Sequence, residues 1–359
     1  MSDYIVSCDA GNGGVNAVLS KGNGRCASVY FPSVRAAATG DSLGLGQDFE
    51  LAYDYVDWYG HRYVVGEDAL RVTRRHMERH TGANRYGSEL HQFLVAVALA
   101  RLGVAKGSVA LTLFAPPGLY LQARQTMLQR FAGAEVTIRL KSDRKPRVWR
   151  YASVTVWPEG LGAAACFLLD DEGRPTATDV LSGDTLILDL GFYTLDALKM
   201  VDGSFNPEEL EHATFENGGV HTHILEPILR TLRRMGDDFQ LLTADDVDRV
   251  LRRGLISGDY TLTAAGHAVD IQPLVEKHRE RYAGWVANTL VDGVFAGLRG
   301  IKSVILVGGG ATLVEDHMIT WYGSKVLDRR QHPTARRVHP VDFNAVGGLR
   351  LALMGRAAG

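Results

Sequence analysis

Two short segments, one in each half of the sequence, repeat the same arrangement of a carboxylate and a glycine. Asp9-x-Gly11 follows an apolar run at residues 4–8, and Asp189-x-Gly191 follows another apolar run. Each is followed by a strand-like run, so each predicts a hairpin with a glycine in its turn. A single motif of this kind is common at ordinary turns. Two copies at the same place in two hairpins are less easily explained by chance.

The chemistry that such a pair of turns can support is the binding of a polyphosphate. A glycine-rich turn presents several backbone N–H groups as a nest for an anion. Two facing turns would clamp phosphates from both sides, with the carboxylates of Asp9 and Asp189 beside them. Carboxylates repel phosphates unless a cation lies between, and Mg²⁺ prefers oxygen ligands and keeps several waters. The pair therefore predicts a magnesium–polyphosphate site.

A third segment, Gly308-Gly309-Gly310-Ala311, follows a buried-type strand and precedes a helix. Glycines at such a turn let a flat ring or a ribose approach the backbone closely. By itself the segment fits a tight strand-to-helix turn without any ligand equally well. Glu159, after Pro158, is similarly ambiguous, because an acidic residue at a helix start is favourable with the helix dipole alone.

The elements that must position these segments occur as strand clusters followed by helices, twice over, which predicts two α/β lobes. We place lobe I at residues 1–180, with a C-terminal helix in 335–359 returning to it, and lobe II at residues 181–334. Ser88 is the expected N-cap of a helix that ends before Gly103. Further helices are predicted at 119–131, at 217–235 with a kink at Pro227, and at 243–253, 271–298 and 344–354.

The bulk composition is that of a globular protein with a large core. Of the 359 residues, 46% are hydrophobic and 22% charged, and the net charge is −2. Nothing in this balance attracts nucleic acid or anionic membrane. Cys8, Cys26 and Cys166 are scattered, which is typical of reduced cysteines rather than of a metal site. With no export or membrane signal in the sequence, we expect a cytoplasmic protein.

The order of these segments resembles the superfamily of actin, heat-shock chaperone ATPases and sugar kinases. Within it, the chain is similar to the ParM (StbA) plasmid-segregation actins and their archaeal relatives. The most specific pieces are the residues 189–196, read as D-x-G-x-x-T-x-D, and the GGGA run at 308–311. Further matches are Phe31-Pro32-Ser33, Gly218-Gly219-Val220 and Asn344-Ala345-Val346-Gly347. The resemblance implies an α/β, two-lobed actin-like fold, a duplicated ribonuclease-H-like unit with a nucleotide cleft between the lobes.

The resemblance also implies roles for individual residues. Asp9 and Asp189 would hold magnesium through its waters, with Asp189 also counted as catalytic. Glu159 would orient the water that attacks the phosphate. The implied nucleotide-binding residues are Gly11, Asn12, Gly13, Gly14 and Asn16 in the first phosphate loop, Gly191, Phe192, Tyr193 and Thr194 in the second, and Gly219, Gly308, Gly309, Gly310 and Ala311 around ribose and adenine. Asp196 would support Asp189.

One position departs from the family pattern. Related proteins often carry a lysine seven residues after the first aspartate, where it reaches the phosphates, and this chain has Asn16 there. Either another cation, such as Lys21 or an arginine, takes over its role, or hydrolysis is slow.

The resemblance implies an ATPase, dependent on Mg²⁺ and with GTP as an alternative nucleotide, that forms nucleotide-dependent filaments. Its partners would be further copies of itself and a DNA-bound adaptor in plasmid or DNA segregation, without direct contact to nucleic acid or membrane. Two alternatives stay open at this point. A small-molecule kinase of the same superfamily would consume ATP only with an acceptor, and a non-polymerising nucleotide switch would not need to hydrolyse it.

Overall fold

The computed structural model describes residues 2–22, 24–38, 53–71, 77–176, 179–204 and 212–357. The chain divides into two compact units, each with its own hydrophobic core. Unit 1 consists of the described residues of 1–181 and 329–359. Unit 2 consists of those of 182–204 and 211–328.

Unit 1 is built on a ten-stranded sheet with the order β3-β2-β1-β8-β10-β9-β5-β6-β4-β7. Strand β1 pairs antiparallel with β2 and parallel with β8, and β8 pairs parallel with β10. The carboxyl ends of β1, β8 and β10 therefore lie at one edge of the sheet. The strands are β1 Tyr4–Ala10, β2 Gly14–Gly22, β3 Arg25–Pro32, β4 Arg35–Ala37, β5 Tyr55–Trp58, β6 His61–Val65, β7 Met77–Glu78, β8 Lys106–Ala115, β9 Glu135–Leu140 and β10 Arg147–Pro158.

The helices of unit 1 are α1 Glu67–Arg71, α2 Glu89–Arg101, α3 Tyr120–Phe131, α4 Leu161–Leu168 and α9 Phe343–Ala357. Helix α2 begins as predicted, since the Ser88 side chain accepts a hydrogen bond from His91 N, and it is buried along most of its length. The C-terminal helix α9 packs on α4 and on β1. Gly162 and Gly347 lie at the α4–α9 crossing, where a Cβ on either glycine would collide with the other helix's backbone.

Unit 2 is built on a four-stranded sheet with the order β13-β12-β11-β16, in which β11 pairs antiparallel with β12 and parallel with β16. A hairpin of β14 and β15 lies apart from this sheet. The strands are β11 Asp184–Leu190, β12 Leu195–Val201, β13 His212–Phe215, β14 Thr261–Ala264, β15 His267–Asp270 and β16 Ile301–Val307. The helices are α5 Glu226–Met235, α6 Ala244–Ser257, α7 Gln272–Val286 and α8 Ala311–Tyr322.

Two long predicted helices of unit 2 are divided in the structure. The first starts with a π-helical turn, His221–Leu225, and continues as α5, with Pro227 in the first turn of that helix. Proline lacks the N–H that a helix interior needs, so it is tolerated only at this point. The other prediction, 271–298, corresponds to α7, a π-helical segment Ala287–Val294 and a short 3₁₀ turn Ala296–Leu298.

Candidate functional site

The loop between β1 and β2 carries the first group of predicted site residues. Asp9 stands opposite Asn16 in the antiparallel ladder, so the two side chains share one face of the sheet. Ser33 braces the loop from β3's end: its Oγ donates to Gly11 O at 2.5 Å, and its backbone N donates to Gly13 O at 3.2 Å. A Cβ on Gly14 would lie 2.4 Å from the Tyr30 ring, so a larger residue there would require this exposed side chain to move.

A buried arginine also holds this loop. Arg85 is only 3% exposed, and its guanidinium donates to Ala10 O, to Gly11 O at 2.9 Å and to Asn12 Oδ1 at 2.5 Å. The prediction from sequence did not identify Arg85. It is separated from the loop by more than seventy residues, and nothing in its neighbourhood marks it as different from other arginines.

Asn344, the second residue of α9, connects the end of β1 to the end of β10. Its Nδ2 donates to Asp9 Oδ2 at 3.1 Å, and its Oδ1 accepts from Gly160 N at 2.9 Å. The resemblance included Asn344 only as part of a helix-start motif, and the structure gives that residue a physical task. It ties Asp9 to the loop that carries Glu159.

The electrostatics around Asp9 favour its neutral form. Burial raises the pKa of this carboxyl to about 6, and the hydrogen bond from Asn344 and the charge of Arg85 only partly oppose that effect. Asp342, in the turn before α9, has its pKa raised to about 6 for the same reason, with the Asp9 charge adding to the effect of burial. A cation bound near these carboxyls would favour their ionised forms.

Glu159 follows directly on β10, at the edge where β1 also ends. Its backbone N donates to Ala115 O, the last residue of β8, at 2.8 Å. Of the predicted site residues, unit 1 therefore holds one group around the carboxyl ends of these strands. That group is Asp9, Gly11, Asn12, Gly13, Gly14, Asn16 and Glu159.

Unit 2 repeats the hairpin with Asp189 and Gly191. Gly191 N donates to Thr194 O at 2.9 Å and closes the turn between β11 and β12. The next helical segment packs directly on this turn. Gly219 N donates to Tyr193 O at 3.0 Å, and a Cβ on Gly219 would lie 2.4 Å from Phe192 O, so only glycine fits there.

The glycine run after β16 meets the same turn from the other side. Gly310 N donates to Leu190 O at 2.8 Å. Gly308 has φ +87°, and a Cβ there would come within 2.6 Å of Asp189 Oδ1. Thr312 Oγ1 donates to Gly309 O at 2.9 Å and so closes the first turn of α8.

Three segments that are distant in sequence thus converge in unit 2. Its predicted site residues are Asp189, Gly191, Phe192, Tyr193, Thr194, Gly219, Gly308, Gly309, Gly310 and Ala311. Asp196 stands opposite Asp189 in the ladder, is buried, and accepts from Thr214 Oγ1 at 2.6 Å. Tyr282, not predicted as a site residue, is buried near the Asp189 charge, and both effects raise the pKa of its hydroxyl. That hydroxyl donates to Gly218 O at 2.9 Å.

Neither a preformed metal cluster nor a membrane span is found in the part of the chain that the structure describes. Within those residues, no group of three or more His, Cys, Asp or Glu side chains is arranged to hold a metal ion. None of the helices described there is long and apolar enough to cross a bilayer.

Two known protein families match the chain, and each match contains one of the two aspartate–glycine hairpins. Residues 7–162 match the family model of the actin-like proteins' N-terminal domain. Residues 187–320 match the model of the C-terminal domain of archaeal MreB-like actin homologues. None of the curated proteins matches the sequence.

Solved structures with the same fold cover the chain almost completely. ParM from Bacillus thuringiensis with ATP has a TM-score of 0.72 at 17% identity and covers 100% of both chains. The archaeal actin homologue Ta0583 has a TM-score of 0.69 at 18% identity and covers 99% of each chain. A non-polymerisable quadruple mutant of pCBH ParM has a TM-score of 0.68 at 19% identity, over 97% of this chain and 98% of that one. The expected actin-like α/β fold is thus confirmed.

Proposed function

This chain belongs to the actin-like proteins, and on that premise we propose that it binds and hydrolyses Mg-ATP and assembles into nucleotide-dependent filaments. The observation that carries the proposal is the duplicated hairpin. In each unit an aspartate is the second-last residue of a strand, a glycine turn follows, and the turn accepts hydrogen bonds from distant segments. Actin-like structures solved with ATP, AMPPNP and ADP share this fold.

The backbone of each turn serves the phosphates. Trans peptide units place each N–H opposite its carbonyl, so loop carbonyls that are held from one side direct N–H groups to the other. In unit 1, Ala10 O and Gly11 O are held in this way by Arg85 and Ser33. Gly219 and the run 308–311 present a backbone surface without Cβ atoms, which suits the close approach of ribose and base.

The residues around Asp9 suit magnesium. The Asn16 side chain, 6% exposed, faces the same side of the sheet as Asp9, and its Oδ1 is a buried acceptor with no hydrogen-bond partner among the described residues. An amide oxygen beside a carboxylate is a hard oxygen set of the kind that Mg²⁺ prefers. When bound, magnesium would neutralise charge on the phosphates. Asp9 and Asp189 would hold it through waters, as the resemblance implies.

Glu159 would position the attacking water and accept its proton. Its place at the same sheet edge as Asp9, linked through Gly160 and Asn344, supports this role. A carboxylate in such a position contributes roughly 10²–10⁴-fold to a rate through proton transfer.

The proposed cellular role is based on the similarity to ParM. Filaments of this chain would be captured by a DNA-bound adaptor during plasmid or DNA segregation in the cytoplasm, with ATP preferred and GTP as the alternative nucleotide. The second candidate is a nucleotide switch that does not polymerise. Asn16 keeps this candidate open, because the resemblance implies a phosphate-contacting lysine at that position and its absence would slow hydrolysis.

High-speed pelleting with electron microscopy tests the proposal. We expect the wild-type protein to pellet as filaments with Mg-ATP and not without nucleotide. Glu159→Ala should release phosphate about 10²-fold more slowly, bind ATP normally and form longer-lived filaments. Glu172→Ala, a change at an exposed surface carboxylate, is the control and should behave as wild type.

Two results would contradict the proposed filament-forming ATPase and favour one of the alternative functions. Tight ATP binding without polymer under any nucleotide would eliminate the filament and favour the switch. ATP consumption that requires a small-molecule acceptor would favour a kinase of the same superfamily.

A further inference from the structure

Arg85 lies at the end of a short 3₁₀ turn, Ala83–Arg85, and inserts its guanidinium under the loop between β1 and β2. It reaches three acceptors there: the carbonyls of Ala10 and Gly11 and the side-chain oxygen of Asn12. All three are neutral. The guanidinium therefore has its hydrogen bonds satisfied by the loop without a neutralising charge.

Two other buried arginines of unit 1 differ from Arg85 in that they form ion pairs with carboxylates. Arg35, 4% exposed, forms ion pairs with Glu78, at 2.8 Å, and with Glu89. Arg350, 3% exposed, forms an ion pair with Asp171 at 2.5 Å. Arg85 is buried equally well, yet no carboxylate among the described residues lies within ion-pair distance of it. A buried charge without a direct ion pair is costly, so an anion bound at the loop would stabilise it.

Two ionisable side chains near Arg85 interact with its charge without forming an ion pair with it. Asp9 is close enough for a Coulombic interaction with Arg85, but the two side chains form no ion pair. His91 is kept neutral, because burial and the Arg85 charge lower its pKa to about 3. The positive charge of Arg85 therefore lies beneath the loop, where the guanidinium donates only to neutral acceptors.

Lys21, which the sequence suggested as a substitute for the missing lysine, does not lie at the loop between β1 and β2. Lys21 is exposed near the far end of β2, five residues beyond Asn16. The loop carbonyls are bound by Arg85 and Ser33 instead.

We propose that Arg85 is a positioning residue that supplies, from beneath the first phosphate loop, the positive charge that a lysine at position 16 supplies in related proteins. The anion that completes the site is the terminal phosphate part of a nucleoside di- or triphosphate. By holding the carbonyls of Ala10 and Gly11, Arg85 turns the N–H groups of Gly11 and Asn12 to the opposite side, toward that anion. The inference rests on the proposed nucleotide binding.

The test measures ATP and adenosine affinities of four proteins by calorimetry: wild type, Arg85→Met, Arg85→Gln, and Arg85→Met combined with Asn16→Lys. Removing the charge should weaken ATP binding about tenfold or more and leave adenosine binding unchanged. Gln keeps an uncharged NH₂ group that can donate to the loop carbonyls, so a loss of affinity in this variant reports the missing charge. Restoring a cation at position 16 should recover most of the ATP affinity.

Arg35→Met is the matched control, since it removes another buried arginine of the same unit that already has carboxylate partners. This variant should lower the stability of the protein without changing the ratio of its affinities for ATP and adenosine. Unchanged ATP affinity in Arg85→Gln, or a loss that Asn16→Lys does not recover, would overturn the inference while leaving nucleotide binding intact. A wild-type protein that binds no nucleotide would instead overturn the proposed function together with the inference.

Discussion

Single buried polar residues organise the candidate site. Asn344 belongs to a helix-start motif and Arg85 to no motif, yet Asn344 joins Asp9 to Gly160 and Arg85 holds the loop that follows Asp9. Asn344 accepts from Gly160 N, and Arg85 donates to the carbonyls of Ala10 and Gly11. A buried backbone group left without a partner costs about 1–3 kcal/mol. Such residues stabilise the loop conformation before any ligand arrives.

His91 gives a prediction for pH dependence. Its Nδ1 accepts from Gly87 N at 2.9 Å, and burial together with the Arg85 charge lowers its pKa from 6.5 to about 3. The unfolded chain therefore binds a proton first as pH falls. The contribution of neutral His91 to stability is fully present above pH 6.5 and is lost between pH 6.5 and 3, by about 5 kcal/mol in total.

His91→Asn tests this effect, because its Oδ1 can still accept from Gly87 N but does not titrate. We expect urea unfolding of the variant to show a lower overall stability, from lost ring packing against Phe131, and a flatter slope in this pH range. The same substitution at exposed His61 is the control. An unchanged slope in His91→Asn would assign the acid sensitivity to other groups.

At the scale of elements, the two hairpins share a plan. In each unit the first strand pairs antiparallel with the second and parallel with a later strand, β8 in unit 1 and β16 in unit 2. This pairing brings the aspartate turn to the same edge as the end of the later strand. In unit 2 that edge also carries the glycine run, so the turn and the run are in direct contact.

The crossing of α4 and α9 predicts a sharp difference between two glycines of the same helix. A Cβ at Gly347 would lie 1.8 Å from Gly162 O, whereas a Cβ at Gly355 would meet nothing within 4 Å. Gly347→Ala should therefore lower the free energy of unfolding by about 3 kcal/mol or more. Gly355→Ala should raise it by roughly 0.5–1 kcal/mol, because alanine favours the helix. Urea denaturation of both variants checks this, and similar values for the two would mean that the crossing is looser than described.

At the scale of the whole molecule, each unit has a separate hydrophobic core. A protein with two cores need not unfold in one step. We expect scanning calorimetry of the nucleotide-free protein to show a van't Hoff enthalpy below the calorimetric one. Mg-ATP at a hundred times its Kd should stabilise the protein by about 2.7 kcal/mol. Because proposed site residues occur in both units, both parts of the transition should move to higher temperature.

Adenosine, which lacks the phosphates, is the matched ligand for that experiment. It should give a smaller shift at the same multiple of the ATP dissociation constant. A single two-state transition without nucleotide would show that the two cores unfold together. A shift confined to one part of the transition would contradict the assignment of nucleotide contacts to both units.

The sequence by itself determined the features that follow from local patterns and from the repeated motif. Short apolar runs ended by Asp-x-Gly or by glycine clusters predicted β1, β11 and β16, and Ser88 marked the start of α2. These are confirmed because strand periodicity, turn glycines and caps act within a few residues. The motif order also indicated the actin-like fold. The roles of the individual site residues stay predictions.

Only the tertiary structure decided which distant side chains complete the loops. Arg85 and Asn344 reach residues 9–12 and 160 through sheet order and helix packing, and no local pattern records such contacts. The same holds for the start of the π-helical turn His221–Leu225, because hydrogen bonds from residues 219–221 to the second hairpin turn fix it. A hydrogen bond between residues far apart in sequence depends on the whole chain path. For this reason the missing lysine could be noticed in the sequence, and its proposed replacement only in the fold.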